Sequence, residues 1–194
     1  MKSYRHLIET LSMESSYRKH DLGKTIYDFI IELEPKVVIE FGILHGYSTV
    51  CIGLALKALS GDRKLVSYDL WDDYPYNHGS IEVIRSLVKE YELDGIVSLK
   101  KGDVYEWAEN PEKFDLLHLD ISNSGDRIQR VYNSLLPHIQ KGACILFEGG
   151  TIERDEAGWA GGLKHKPITA VKEMLGYEVV DSRFPGLSVI RGFE

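Results

Sequence analysis

The stretch VVIEFGILHGYSTVCIGLAL, Val37 to Leu56, changes character in its middle. It opens as a short Val/Ile run of the length and composition of a buried strand, and it closes with apolar residues at helical spacing. Between the two stand Glu40, Gly42 and Gly46. Glycines let a backbone turn sharply and pass close to another group, and the helix that follows offers N–H groups without intrahelical partners. Strand, glycine turn and helix together form the first unit of an open α/β sheet, whose ligands gather at the strand C-termini. The carboxylate of Glu40, next to that turn, needs a partner from elsewhere in the chain.

Further units follow. Strands are expected at Lys64–Asp69, Ile96–Leu99, Phe114–Asp120 and Ala143–Glu148, separated by helices at Tyr47–Leu59, after Ser80, and at Asp126–His138. The chain ends with a helix, Ile168–Leu175, and two strands, Tyr177–Asp181 and Leu187–Arg191, joined across Pro185-Gly186. A connection that short forces antiparallel pairing, because a parallel crossover needs about a dozen residues. Ahead of the first strand, Leu, Ile and Tyr recur at three- and four-residue spacings through Glu34, broken near Met13–Ser16, as in two amphipathic helices. The expected fold is α/β: one doubly wound sheet of about seven strands, the last pair antiparallel, with N-terminal helices. Residues 1–35 read as a helical cap and residues 36–194 as the main unit, within one structural domain.

Composition narrows the function. The 194 residues suit one domain, and 43% hydrophobic with 27% charged residues is a globular balance. A formal net charge of -7 and the lack of a basic run argue against nucleic acid as a partner. No apolar run approaches the ~20 residues that span a bilayer, and MKSYRHLIET lacks a signal-peptide core, so a cytoplasmic protein with no membrane partner is expected. Cys51 and Cys144 both sit in apolar segments and read as small buried hydrophobes in a reducing compartment.

Glu40, Asp69, Asp103, Asp120 and Glu148 fall at or just past predicted strand ends. Each alone is ordinary; together they line the edge where ligands bind. The turn Gly42–Gly46 has the wrong spacing for the dinucleotide fingerprint, and Glu40 beside it would repel a pyrophosphate. Asp69 is placed to accept two ribose hydroxyls and Asp103 an adenine amino group. The ligand so described is a cationic nucleoside without phosphates.

EFGILHGYST resembles the glycine-rich first motif of class I S-adenosylmethionine (SAM) methyltransferases. SYDLW, KGDVYEW, FDLLHLDIS and GACILFEGG resemble the family's second- to fifth-strand motifs, in the right order from Val37 to Gly150. The nearest branch is the small-molecule O-methyltransferases with an FGxxxGxST turn. The resemblance implies a Rossmann-like SAM-binding domain over residues 36–194. It maps Glu40, Gly42, Gly46, Ser48, Asp69 and Asp103 to cofactor contacts, with Gly42 letting the backbone approach the ligand. Ser48-Thr49 would otherwise simply cap a helix, and Asp69 would be a loop acid.

Methyl transfer needs the acceptor aligned with the S–CH₃ bond and relieved of its proton. Candidates for that work are Asp120, Glu148 and His45, the last facing either substrate or solvent. In the catechol-type branch a divalent cation rests on a fourth-strand acid and an acid–amide pair after the fifth strand. Here Asp120, Asn123 and Glu148 are present, but Glu148-Gly149-Gly150 replaces the pair. A Mg²⁺-type ion on Asp120 and Glu148 is therefore less favoured than two carboxylates gripping a substrate group, with a nearby Lys or Arg, or a substrate amine, relieving their repulsion. His118, between leucines, reads as structural, and His165 as solvated. Trp71, Tyr74, Tyr76 and Trp159 are candidate substrate walls, or WDDYPY packs on the N-terminal helices. Gly149 to Lys166, with Gly158, Gly161 and Gly162, is long enough for a lid, and its Glu153–Glu156 run reads as a solvated face. The expectation is a SAM-dependent methyltransferase acting on a small-molecule hydroxyl, compatible with a homo-oligomer. The alternatives are a non-catalytic SAM- or nucleoside-binding module and an NAD oxidoreductase, the latter disfavoured by the broken glycine fingerprint.

Overall fold

The computed structural model describes residues 3–75, 78–121, 123–157 and 165–193. A 3-10 turn, Arg5–Thr10, leads into α1 (Ser16–Lys19) and α2 (Leu22–Leu33). Ser15 starts α1 by accepting from the Tyr17 N–H. Leu22, Ile26 and Ile30, spaced four apart, form the buried stripe of α2, and each is 0% exposed. Then come β1 (Val37–Phe41), α3 (Tyr47–Leu59), β2 (Lys64–Asp69), α4 (Ile81–Glu90) and β3 (Val97–Lys101). The second half runs α5 (Val104–Glu109), β4 (Leu116–Leu119), α6 (Gly125–Leu135), β5 (Cys144–Glu148), α7 (Ile152–Glu156), α8 (Lys172–Leu175), β6 (Glu178–Asp181) and β7 (Leu187–Ile190).

The strands form one sheet in the order β3-β2-β1-β4-β5-β7-β6. The first five are parallel; β7 runs antiparallel between β5 and β6. The chain winds outward from β1 to β3 and then returns to start again at β4, so the crevice beyond the C-termini of β1 and β4 is the topological switch point. One face of the sheet packs Val38, Leu65, Leu116 and Leu146 against α2, α3 and α4. The other packs Ile39, Val66, Leu117 and Ile145 against α5, α6 and α8. The 3-10 turn, α1 and α2 lie on α3, and their apolar side chains are part of the first core.

Several elements differ from the sequence reading. β4 stops at Leu119, which leaves Asp120 just past the strand. β3 begins at Val97 and runs on to Lys101. The helix expected at Ile168–Leu175 divides into a 3-10 turn, Thr169–Val171, and the single turn α8. Helix α5 was not anticipated, although Asp103-Val-Tyr-Glu106 carries a cap-and-acid spacing that marks a helix start. The segment read as an open lid contains α7. Trp71 is not a substrate wall: it is 5% exposed, belongs to the first core, and its indole N–H donates to the Lys100 carbonyl at 3.1 Å. Tyr76, Trp159, Gly158, Gly161 and Gly162 lie outside the described residues.

Candidate active site

Register across the central strands explains how Glu40 is held. Glu40 pairs with Ser67 of β2 on one side and with His118 of β4 on the other, so the three side chains stand in one row on one sheet face. Ser67 Oγ donates to Glu40 Oε2 at 2.6 Å. From the first turn of α3, Ser48 Oγ donates to Oε1 at 2.7 Å and Thr49 Oγ1 to Oε2 at 2.6 Å. His118 Nδ1 stands 3.3 Å from Oε1, although its N–H is not aligned for a hydrogen bond. Burial alone would raise the Glu40 pKa; the His118 ring and the Ser67 and Thr49 hydroxyls outweigh it and keep the carboxyl below its ordinary value. The partners the acid required are therefore three hydroxyls and a histidine of its own chain. Neither Ser48 nor Thr49 caps α3, whose N-cap is Gly46 at φ 81°.

The turn is shaped by close approach. A Cβ on Gly42 (φ +91°) would lie 1.9 Å from the Asp120 carbonyl oxygen, so the group that demands glycine there is the protein's own β4 end. Asp69 fastens the same turn. Its Oδ2 accepts from the N–H of Ile43 at 2.8 Å and of Leu44 at 3.4 Å, while its Oδ1 accepts from Trp71 N–H at 2.9 Å. Leu44 and Trp71 are both left-handed, at φ 48° and 50°. For residues with a Cβ this costs about 1–3 kcal/mol each. Asp103 caps α5, its Oδ1 accepting from Tyr105 N–H at 2.7 Å. Both Asp69 and Asp103 keep accessible surface, as does His45 on the turn.

Asp120 and Glu148 do converge, from the ends of the paired strands β4 and β5. Burial, the Glu148 charge, a hydrogen bond shared with Glu148, and Glu40 push the Asp120 pKa well above the usual aspartate value, and Arg154 pulls it back in part. Arg154, on α7, meets Glu148 Oε1 with its Nε at 2.7 Å. The run read as a solvated face thus delivers a cation to the strand-end acids; its Asp155 in turn accepts from the N–H groups of Ile168 and Thr169. Asn123 clasps the two strand ends, its Nδ2 donating at 3.0 Å to the carbonyls of both Leu119 and Glu148. Tyr17 enters from α1, 1% exposed, with its hydroxyl 3.5 Å from His118 Nε2. Burial, then the charges of Asp120, Glu148 and Glu40, raise its pKa well above the ordinary phenol value. Ser67 and Tyr17 were not singled out from the sequence, Thr49 was read only as a possible helix cap, and Arg154 only as part of a solvated run. For Ser67 the visible signal was a serine within the apolar run KLVSYD.

A Mg²⁺-type ion needs about six oxygen ligands. Here one Glu148 oxygen is bonded to Arg154, and the Asn123 amide oxygen accepts from the Ile121 N–H at 3.4 Å. Among the described residues no group of three or more His, Cys, Asp or Glu side chains is placed to hold a metal. This donor set does not fit such an ion. A cavity of about 370 Å³ lies between the N-terminal segment and Tyr47 and is lined by Glu9, Glu14, Arg18, Lys19 and Asp21. It does not include the strand-end acids.

A family model described as a methyltransferase domain matches residues 39–148, from β1 to the end of β5. The chain belongs to this methyltransferase family. The matched span holds Glu40, the Gly42 turn, Asp69, Asp103, Asp120 and Glu148. Among curated proteins no sequence matches the chain. Solved structures share the fold. The O-methyltransferase TomG from Streptomyces achromogenes, in complex with SAM, is 16% identical with a TM-score of 0.62, covering 97% of this chain and 96% of that one. The methyltransferase PaMTH1 of Podospora anserina, bound to S-adenosylhomocysteine (SAH), is 17% identical with a TM-score of 0.64, covering 96% and 85%. An O-methyltransferase from Bacillus cereus, also with SAH, is 14% identical with a TM-score of 0.64, covering 97% and 87%.

Proposed function

We propose that this methyltransferase carries the methyl group of SAM to a hydroxyl oxygen of a small molecule at the β1/β4 switch point. The observation that carries the reading is the pairing of a glycine turn pinned by Asp69 with two converging strand-end acids across the same crevice. The solved O-methyltransferases of the same fold, with SAM or SAH bound, support it. Gly42 and Gly46 would face the methionine end of SAM, with Glu40 and Ser48 bracing the turn beneath it. Asp69 has acceptor capacity left for ribose after its three backbone donors, because a carboxylate offers about four lone-pair sites. Asp103 would accept from the adenine amino group. Residues 36–194 would carry this site, with residues 1–35 as a cap within the same domain. The acidic net charge and two buried free cysteines fit a cytoplasmic enzyme that does not act on nucleic acid; no helix among the described residues is long and apolar enough to cross a membrane.

Bound SAM supplies an electrophilic methyl group on a sulfonium. The chain's part is alignment and proton removal. Asp120 retains accessible surface, whereas Glu148 is 5% exposed and tied to Arg154, so Asp120 is the acid that meets the acceptor. The raised Asp120 pKa makes its ionised carboxylate a stronger base than an ordinary aspartate, with Arg154 held on the Glu148 side. An acceptor hydroxyl bonded to that carboxylate can pass its proton to it as the O–CH₃ bond forms and the S–CH₃ bond breaks. His45, on the turn itself, would orient the acceptor from the other side.

Calorimetry with SAH and NAD, followed by radiolabelled methyl transfer from SAM to a panel of phenols and alcohols, tests the reading. Micromolar SAH binding and transfer to oxygen are expected. Tighter binding of NAD, or no binding of SAH, would overturn it. SAH binding without turnover of any acceptor would favour a binding module instead.

A further inference from the structure

The hydrogen bonds of Asp69 carry a second conclusion, which rests on the SAM-binding reading above. Three donors converge on this one carboxylate, and all three are main-chain N–H groups. Two of them, Ile43 and Leu44, belong to the turn after β1; the third, Trp71, belongs to the loop after β2. Among the described residues of these loops, Leu44 and Trp71 are the two non-glycine residues that hold positive φ. Leu44 has no core to keep it there, being 39% exposed. Trp71 is anchored separately through its indole on the Lys100 carbonyl. On the far side of the turn Gly79 packs so closely that a Cβ would fall 1.6 Å from the Leu44 carbonyl oxygen. The turn is thus held from beneath by Asp69 and from above by the backbone at Gly79.

We propose that Asp69 is a positioning residue for the cofactor turn: a clamp that keeps Leu44 left-handed and joins the β1 and β2 loops, with ribose recognition left to whatever acceptor capacity remains. A carboxylate at this strand end that served ribose alone would have its oxygens turned to the crevice and no need of a strained neighbour. Here the strain at Leu44 and the three N–H bonds imply that removing the carboxylate releases the turn as well as the ribose. The same logic names Leu44 as the position where the defect can be repaired, because glycine adopts positive φ without the Cβ penalty.

The test is a two-by-two set of variants: wild type, Asp69→Ala, Leu44→Gly and the double variant. Each is titrated with SAH by calorimetry. Leu44→Gly alone should bind within about threefold of wild type, since a Gly at this φ is unstrained while the unfolded chain gains freedom. Asp69→Ala should lose about 30-fold or more from the charge-assisted bonds given up. The double variant should recover about tenfold of that loss, a gain no ribose-only role can produce. Amide hydrogen exchange gives a readout independent of ligand: Ile43 and Trp71 N–H should be protected in wild type and lose protection in Asp69→Ala. If Asp69→Ala does not fold, Asp69→Asn, which keeps one acceptor oxygen, replaces it, with a smaller loss and a partial recovery expected. Equal losses with and without Leu44→Gly, or unchanged protection of both amides, overturn the clamp. Failure of wild type to bind SAH instead overturns the cofactor reading, and the exchange measurement still decides the clamp.

Discussion

At the scale of single residues, the site is built from side chains that serve the backbone first. Gly42 is the clearest case. From the sequence its freedom is expected to serve a ligand, yet the atom that leaves no room for a Cβ is the Asp120 carbonyl oxygen, 1.9 Å away. Gly42→Ala should therefore destabilise the fold itself, by about 3 kcal/mol or more from the clash and the positive φ together. Urea unfolding would show this as a lower midpoint; an unchanged midpoint with SAH binding lost would return the glycine to the ligand. Asp120 gives a prediction in pH. Its folded pKa is raised above its unfolded value of about 3.9, so the native state holds the proton more tightly, and stability falls as pH rises from about 4 through the folded pKa. Asp120→Asn should remove that decline, melting at a similar temperature to wild type at pH 4 and at a higher one at pH 8. Glu40 has the opposite sign. Its pKa is lowered in the fold, so its contribution is present above about pH 4.3 and lost as pH falls through the folded value. A wild-type melting temperature that keeps rising from pH 5 to 8 would contradict the Asp120 assignment.

At the scale of elements, the strands and long helices were legible because their signals are local. The helix Tyr47–Leu59 and the strand Lys64–Asp69 have the bounds read from the sequence. The turns after the strands also announced themselves through glycine. What could not be read was anything set by register or by reach across the chain. That Ser67, Glu40 and His118 stand in one row follows from pairing two parallel neighbours onto β1, and no periodicity within one segment encodes it. Arg154 was hidden for a related reason: in sequence it is one charge among Glu153, Asp155 and Glu156, and only the short helix α7 turns it towards Glu148. Short helices such as α5 and α7 depend on tertiary packing more than on propensity, which makes them faint in sequence. The N-terminal helices carry a prediction at this scale. Leu11, Leu22, Ile26 and Ile30 are each 0% exposed, within the core that α3 and β1 share. Deleting residues 1–35 would lose burial on the order of 10 kcal/mol, comparable with the whole stability of a domain. The shortened chain should show no cooperative melting transition by circular dichroism; a sharp transition would mean that the helices are dispensable.

For the whole molecule, the row formed by Glu40 matters beyond the turn. One carboxylate ties β1 to β2 through Ser67 and to the first turn of α3 through Ser48 and Thr49, with β4 alongside through His118. A loop joined to three core elements cannot loosen without them, so the energy of filling the crevice is felt by the entire sheet. SAH at one hundred times its dissociation constant should add about 2.7 kcal/mol to the unfolding free energy, a rise of roughly 5–10 °C in melting temperature for a chain of this size. Scanning calorimetry should show that rise in a single peak, and a rise confined to a minor early transition would place the turn outside the cooperative unit. The consequence is practical. Heat becomes a reporter for chemistry that no one needs to guess in advance: with SAH saturating one half of the crevice, a library of hydroxyl compounds can be sorted by the extra degrees each contributes, and the acceptor found by how long the fold survives in its company.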